Sequence, residues 1–257
     1  MHTSKAAVHM QGRQATTELE NIRLPLDERA ALAEYAARAT WPAGFQIYER
    51  GAVADGVFVV LRGRVVLRSR ARASRGFVPW IASAGETFGA EGLSPSAVYA
   101  TEARADTETE TLFLSGTRLR AFVREQPSHA LALIAQVMAE RTSLLDKLRE
   151  LSMLSVEHRL LSALRRMAAD DGFLDQAGRI VLCTARYRLL CELVGATRES
   201  VSLVLGRLTG EGLAERVGNT LFVPPTTQLF ERLGGGTGGL LVVEGIGDSR
   251  SVTAISS

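Results

Sequence analysis

The order of apolar and polar positions divides the chain into a helical start, a β-rich middle and a largely helical end. Residues 22–39 (IRLPLDERAALAEYAARA) repeat apolar residues at helical spacing, with Pro25 near the start, and predict a short amphipathic helix. From Trp41 to about Leu114 the pattern changes to short β-rich runs, among them FQIYERG, GVFVVLRGRVVLRSR, FVPWIASAGETFG and VYATEARADTETETLFL. Gly44, Gly51, Gly56, Gly63, Gly76, Gly85, Gly89 and Gly92 punctuate these runs as turn positions. Several short strands at such spacing predict an antiparallel roll or barrel.

A helical pattern resumes from about Thr117 through Leu151, broken in two by Pro127. In the longer piece Leu131, Leu133, Ile134, Val137, Met138, Leu144, Leu145, Leu148 and Leu151 form a stripe roughly 160° wide at about 100° per residue. Gln136, Glu140, Ser143, Asp146, Lys147 and Glu150 occupy much of the other side. One apolar flank can cover the β-rich unit. The surplus flank, with Leu131, Ile134, Met138, Leu145 and Leu148, predicts a second copy of the same helix as partner. A helix packed on two sides within one chain is the alternative.

After Ser152 the pattern predicts a helix over 156–169, a turn at Asp170-Asp171-Gly172 and a strand through Arg179–Cys183. Two short helices follow, about 186–193 and 197–209, separated by Val194-Gly195-Ala196. Gly218-Asn219 between two apolar runs in Leu213–Val223 is a hairpin signal. Residues 1–20 are polar and aperiodic and read as an arm; 234–247 contain seven glycines and read as an extension, with LLVV at 240–243 a candidate strand.

Composition changes this picture little. The 257 residues are 46% hydrophobic and 23% charged, which excludes global disorder, collagen-like and disulfide-scaffold classes. No apolar run approaches the roughly 18 residues of a membrane span, and MHTSKAAVHM lacks the stretch of a secretory signal. Cys183 and Cys191 form no disulfide framework, so the expected compartment is the cytoplasm. Thirty basic against twenty-eight acidic residues leave +2, too weak a charge to predict nucleic-acid binding. Lys5 and Lys147 are the only lysines. Arginine suits phosphate and guanine contacts, and genomic base composition produces the same bias.

Local arrangement says more. In ELVGATRESVSLVLGRLTGEGL, residues 192–213, Gly195 allows a tight bend and Thr197 is a natural N-cap. Val201, Val204, Leu205 and Leu208 fall at i, i+3, i+4 and i+7 as an inward stripe, so Arg198, Glu199, Ser202 and Leu203 point outward. A recognition helix presents its first residues to the major groove in this way. Arginine pairs with guanine O6 and N7, and glutamate accepts from cytosine N4. A helical hairpin with merely solvated outer residues is the bland alternative; the hairpin that follows, resembling a wing, weighs against it.

Over about 22–225 the chain resembles the Crp/Fnr family of bacterial transcription regulators. The β-roll matches through WPAGFQIYERGAVADGVFVVLRGRVVL, and a phosphate-cassette region through FGAEGL. The long helix running into SVEHRLLSAL matches the dimer helix and hinge, TRESVSLVLGRL the recognition helix, and EGLAERVGNTLFV the wing. The resemblance implies an α+β fold. An arm (1–20), a β-roll effector-like domain (21–116), a dimerisation helix (117–152), a winged helix-turn-helix domain (153–232) and a glycine-rich tail (233–257) would follow one another. It implies a homodimer on double-stranded DNA with a two-fold-symmetric site, and it admits RNA polymerase as a partner. Arg198 and Glu199 match the base-reading pair, and Ser202 a common contact position. Leu203 stands where a second arginine is frequent, and could touch a thymine methyl. Arg186, Arg188 and the wing would contact the DNA backbone. Arg186 stands where an N-cap threonine is usual, which leaves Thr184 as an earlier cap.

The effector pocket departs further from the family. Members that bind cyclic AMP use a glutamate on the ribose, an arginine on the phosphate and small hydroxyl residues from the dimer helix. The matching positions hold Ala90, Tyr99, Leu144 and Leu145, within a pocket-like set completed by Gly89, Glu91, Gly92 and Leu93. Glu91 lies one residue from the glutamate position, but nothing replaces the arginine, and Arg104 matches another place. The site reads as lost for cyclic AMP. Two cysteines are too few for an iron–sulfur cluster. His2 and His9 in the arm could ligate haem or metal, yet tails often carry histidines, and His129 and His158 have no companion at metal-ligand spacing. No cofactor, metal or catalytic constellation is expected. The sequence therefore predicts a dimeric DNA-binding regulator that switches by rotation about a hinge at 152–156, competent without ligand or answering to another effector. The rival is a small-molecule sensor or protein-interaction module whose helix-turn-helix no longer binds DNA.

Overall fold

The computed structural model describes residues 23–69 and 76–233. The arm, His2, His9 and the glycine-rich tail with LLVV lie outside the described residues.

Helix α1 (Leu26–Ala33) opens the described chain. It ends earlier than the sequence pattern predicts, because Ala37–Trp41 extends as β1, paired antiparallel with β8 (Thr109–Ser115). The alanines there fit a helix by propensity, yet the ladder to β8 decides the outcome. Between them lie β2 (Gln46–Tyr48), β3 (Gly56–Arg62), β4 (Arg64–Ser69), β5 (Phe77–Ser83), β6 (Thr87–Phe88) and β7 (Glu102–Ala105). They form two four-stranded antiparallel sheets, ordered β1-β8-β3-β6 and β2-β7-β4-β5. Gly63 at φ +86° makes the abrupt β3–β4 turn, where a Cβ would strike the backbone of Thr109. Gly56 marks no turn: it opens β3 and packs against Gly92, which lies within a 3-10 turn at Ala90–Leu93.

The apolar run over β3 and β4 is continuous because both faces of these strands are covered. On β3, Phe58 and Val60 enter the roll interior while Val57 and Val59 meet α1 and the helices that follow. On β4, Val65 and Leu67 enter the interior while Val66 joins the core of the carboxyl-terminal unit.

Helices α2 (Gly116–Glu125) and α3 (Pro127–Met153) follow, with Pro127 at the first position of the second. The two sides of α3 differ from the sequence expectation. Ala130 and Leu133 cover the roll, but farther along the side turned to the rest of the chain is polar, with Gln136 and Lys147 buried. Leu131, Ile134, Met138, Leu144, Leu145 and Leu148 are exposed in the single chain. At Leu154 the backbone turns extended, and Ser155 caps α4 (Val156–Ala168) by accepting from the His158 amide.

The last unit packs α4, β9 (Ile180–Leu182), α5 (Thr184–Val194), α6 (Arg198–Gly210), β10 (Glu215–Val217), β11 (Thr220–Val223) and α7 (Thr227–Glu231) around one core. Its three strands run antiparallel in the order β10-β11-β9. Gly218, at φ +57°, turns the β10–β11 hairpin. Helix α5 begins two residues before its sequence estimate; Thr184 is its first residue rather than its cap, and Cys183 precedes it without a capping side chain.

Candidate functional site

Two places could carry function: the outer edge of α6 and the interior of the roll. Gly195, left-handed at φ +64°, ends α5 and sets the angle between the two helices. The Thr197 hydroxyl accepts from the Ser200 amide at 3.0 Å and starts α6. Val201, Val204, Leu205 and Leu208 are buried and fix the rotation of the helix. That rotation leaves Arg198, Glu199, Ser202 and Leu203 exposed, Leu203 at 73%. The Arg198 guanidinium lies 5.5 Å from the centre of the Tyr187 ring. Burial pushes the Tyr187 phenol above its ordinary pKa, while Ser202 and the charges of Arg198 and Arg216 act against the shift. Tyr187 of α5 and Arg198 of α6 thus lie side by side, with Ser202 and the charge of Arg216 acting on the same phenol. Sequence reasoning singled out neither Tyr187 nor Arg216, although Tyr187 is adjacent to the expected contact Arg188 and Arg216 lies in the hairpin.

Arg188 is exposed beside this surface. Arg186 is not available to it in the way the sequence suggests. Its guanidinium donates to the carbonyls of Gly172 at 2.8 Å, Phe173 at 3.2 Å and Val181 at 3.3 Å. These three bonds turn the guanidinium inward, so Arg186 braces the turn before β9.

The roll interior is filled by its own aromatic rings. Tyr99 is 3% exposed and stacks on Tyr48 with ring centres 3.7 Å apart. Phe58 lies 4.8 Å from Phe88 and 4.7 Å from Phe113, centre to centre. The Tyr99 hydroxyl donates to the Gly56 carbonyl at 3.2 Å, and burial pushes its pKa up to about 12. Gly89 is left-handed at φ +73°, and a Cβ there would press on the Tyr99 ring. The Ala90–Leu93 turn follows, in which Glu91 accepts from the Ala100 amide at 3.0 Å. Leu144 and Leu145, expected to face this pocket, are exposed on α3 instead. Arg104 faces away, donating to the Gly44 carbonyl and the Gln46 side chain, each at 2.7 Å.

Between roll and α3, the Glu140 carboxyl has a buried oxygen with no hydrogen-bond partner. Burial, with Glu91 and Glu86 nearby, raises its pKa to about 7; burial raises Glu86 to about 7 as well. Among the described residues, no group of three or more His, Cys, Asp or Glu could hold a metal ion. His129 pairs with Glu28, and His158 with Ser155. Cys183 and Cys191 are free thiols, both half-buried. Among the described residues, no helix is long and apolar enough to cross a membrane.

Residues 38–126 match the family model described as cyclic nucleotide-binding domain. The chain is similar to a CRP-like cAMP-activated global transcriptional regulator of Mycobacterium tuberculosis, 21% identical over 203 residues, or 79% of this chain and 91% of that protein. Its structure resembles that of the c-di-GMP-responsive global regulator CLP of Xanthomonas campestris, with TM-score 0.68 and 22% identity over 79% of this chain and all of that one. A Crp/Fnr-family transcriptional regulator of Thermus thermophilus gives TM-score 0.67 at 21% identity, covering 77% of this chain and 98% of that one. The fold is therefore that of the Crp/Fnr regulators, a β-roll followed by a carboxyl-terminal helix-turn-helix unit. The homologues are transcription regulators rather than enzymes.

Proposed function

We propose that this chain, built on the fold of the Crp/Fnr transcription regulators, is itself a homodimeric, sequence-specific DNA-binding regulator that cyclic AMP does not activate. The observation that carries the reading is the edge of α6, where a capped helix anchored by four buried residues presents Arg198, Glu199, Ser202 and Leu203 to solvent. Arg198 and Glu199 would read base edges, Leu203 a thymine methyl, and Arg188 with the wing the backbone. The winged unit, about 153–232, does this work; the helix over 117–152 joins two copies; the roll over 21–116 is the regulatory part.

Homodimerisation is supported by Leu131, Ile134, Met138, Leu145 and Leu148, each 47–67% exposed along one side of α3. An apolar stripe of that length costs solubility unless covered, and a matching helix covers it best. Independence from cyclic AMP is supported by the stacked Tyr48 and Tyr99, which occupy the roll interior, and by a buried tyrosine where the family's phosphate-binding arginine is expected. A cyclic phosphate would meet aromatic rings and the Glu91 carboxylate there.

The test is selection of bound DNA from a random library by the full chain without added ligand. A two-fold-symmetric consensus is the expected result; no enrichment would favour the rival module that has lost DNA binding. In parallel, calorimetric titration with cyclic AMP should give no heat, and a saturable micromolar isotherm would reject the closed roll.

A further inference from the structure

Beyond the short link at Leu154–Ser155, β4 ties the roll to the winged unit. Successive side chains of a strand alternate between faces. Val65 and Leu67 point into the roll, so Arg64, Val66 and Arg68 share the outer face. Val66 and, from β5, Val78 are buried in the core of the winged unit, with Ile81 packed against it.

The two arginines flanking Val66 repeat one arrangement: each holds one carboxylate from the roll and one from the winged unit. Arg64, 5% exposed, reaches Asp106 of the roll at 3.0 Å and Asp170 of the winged unit at 3.1 Å. Its guanidinium also lies 4.0 Å from the centre of the Phe173 ring, and a Cβ on Gly172 would collide with it. Arg68 reaches Glu102 of the roll at 3.4 Å and Glu192 of α5 at 2.7 Å. Ser83 of β5 donates to the other Asp170 oxygen at 3.3 Å. Charged pairs this well enclosed are screened little by salt, and a planar guanidinium between two carboxylates fixes direction as well as distance.

The closed seam leaves Arg198, Glu199, Ser202 and Leu203 exposed, and its Glu192 lines one cavity together with Tyr187, Arg188 and Arg198. We propose that Arg64 and Arg68 are positioning residues for DNA recognition: by bridging carboxylates of both units they hold α6 in one orientation on the roll. The proposal rests on the DNA-binding reading above and adds what sets the angle of the reader. A unit held only by its link would have to be ordered each time it met a half-site, at a cost in affinity and with looser tolerance of half-site spacing.

The test compares the full chain with Arg68→Glu and with the charge swap Arg68→Glu/Glu192→Arg. It measures affinity for the selected site, affinity for sites with one base pair added or removed between half-sites, and the radius of gyration by X-ray scattering. Arg68→Glu should bind about tenfold more weakly, lose spacing discrimination and scatter as a larger particle, and the swap should recover most of all three. Glu192→Gln, which removes the contact without adding charge, should move each readout the same way by less. Wild-type affinity, spacing preference and dimensions in Arg68→Glu would overturn the proposal. So would tighter binding, which would make the seam inhibitory, or a swap that restores nothing. Scattering is read without DNA, so a chain that selects no DNA would defeat the DNA-binding reading and still show whether the arginines hold the units together.

Discussion

The interior of the roll and the edge of α6 are made from opposite materials. The roll turns Tyr48, Phe58, Phe88, Tyr99 and Phe113 inward against one another, in the part of the fold where a cyclic nucleotide-binding domain would admit its ligand. The α6 edge turns its apolar residues inward and keeps Arg198, Glu199, Ser202 and Leu203 outside. A change in the roll should therefore be felt in stability and a change on the α6 edge in binding.

The largest effect expected from that contrast is Phe88→Ala. Phe88 is fully buried and touches both the Tyr48 and Phe58 rings. Removing it should cost about 3–5 kcal/mol, part lost transfer energy and part cavity. Urea unfolding measures this directly. A loss below about 1 kcal/mol would mean that the rings are loosely packed and the interior is open to a ligand after all.

Arg198→Ala should behave in the opposite way. The residue is exposed at the first turn of α6, so stability should stay within about 0.5 kcal/mol of wild type. Specific DNA binding should weaken by about 1–3 kcal/mol, with relaxed base choice at one position of each half-site. A footprint and affinity unchanged by the substitution would remove Arg198 from the reading surface.

How far these two regions were legible in the sequence follows from the range of the forces that shape them. The α6 edge is local: Thr197 as cap and the spacing of Val201, Val204, Leu205 and Leu208 define inside and outside within one helix, and the structure agrees. The β3–β4 run could be seen as strand, but not as strand covered on both faces, because Val66 is buried by residues about a hundred positions later in the chain. Distance in sequence also hid Arg64 and Arg68, whose partners Asp170 and Glu192 lie in the winged unit. On helix α3 the apolar stripe set out by the periodicity is exposed in the single chain, while beyond Leu133 the polar side, rather than an apolar flank, faces the rest of the chain. Periodicity separates two faces of a helix, yet only tertiary packing decides which one meets the rest of the chain. The inward turn of Arg186 was hidden for a related reason: the three carbonyls it reaches converge only in the folded unit.

The polar side of α3 supplies the smallest and most conditional effect. Glu140 and Glu86 both lie at the junction of roll and helix with pKa raised from 4.5 to about 7, chiefly because burial disfavours their charged forms. Glu91 and Glu86 add repulsion at Glu140; at Glu86, Asp170 raises the value while Arg23 and the Ser83 amide lower it. A carboxyl with a folded pKa above its unfolded one holds its proton more tightly in the folded state. Stability from these groups is therefore greatest below about pH 4.5, falls as pH rises through 7, and is level above that. Between pH 5 and 8 the melting temperature should therefore drop. Glu140→Gln, which keeps the shape and cannot ionise, should flatten the slope and leave the low-pH value nearly unchanged. The same slope in wild type and variant would place the titrating groups elsewhere. A slope of opposite sign would mean that the carboxyls find partners in the dimer, which would tie the α3 polar side to the second copy as closely as its leucine stripe.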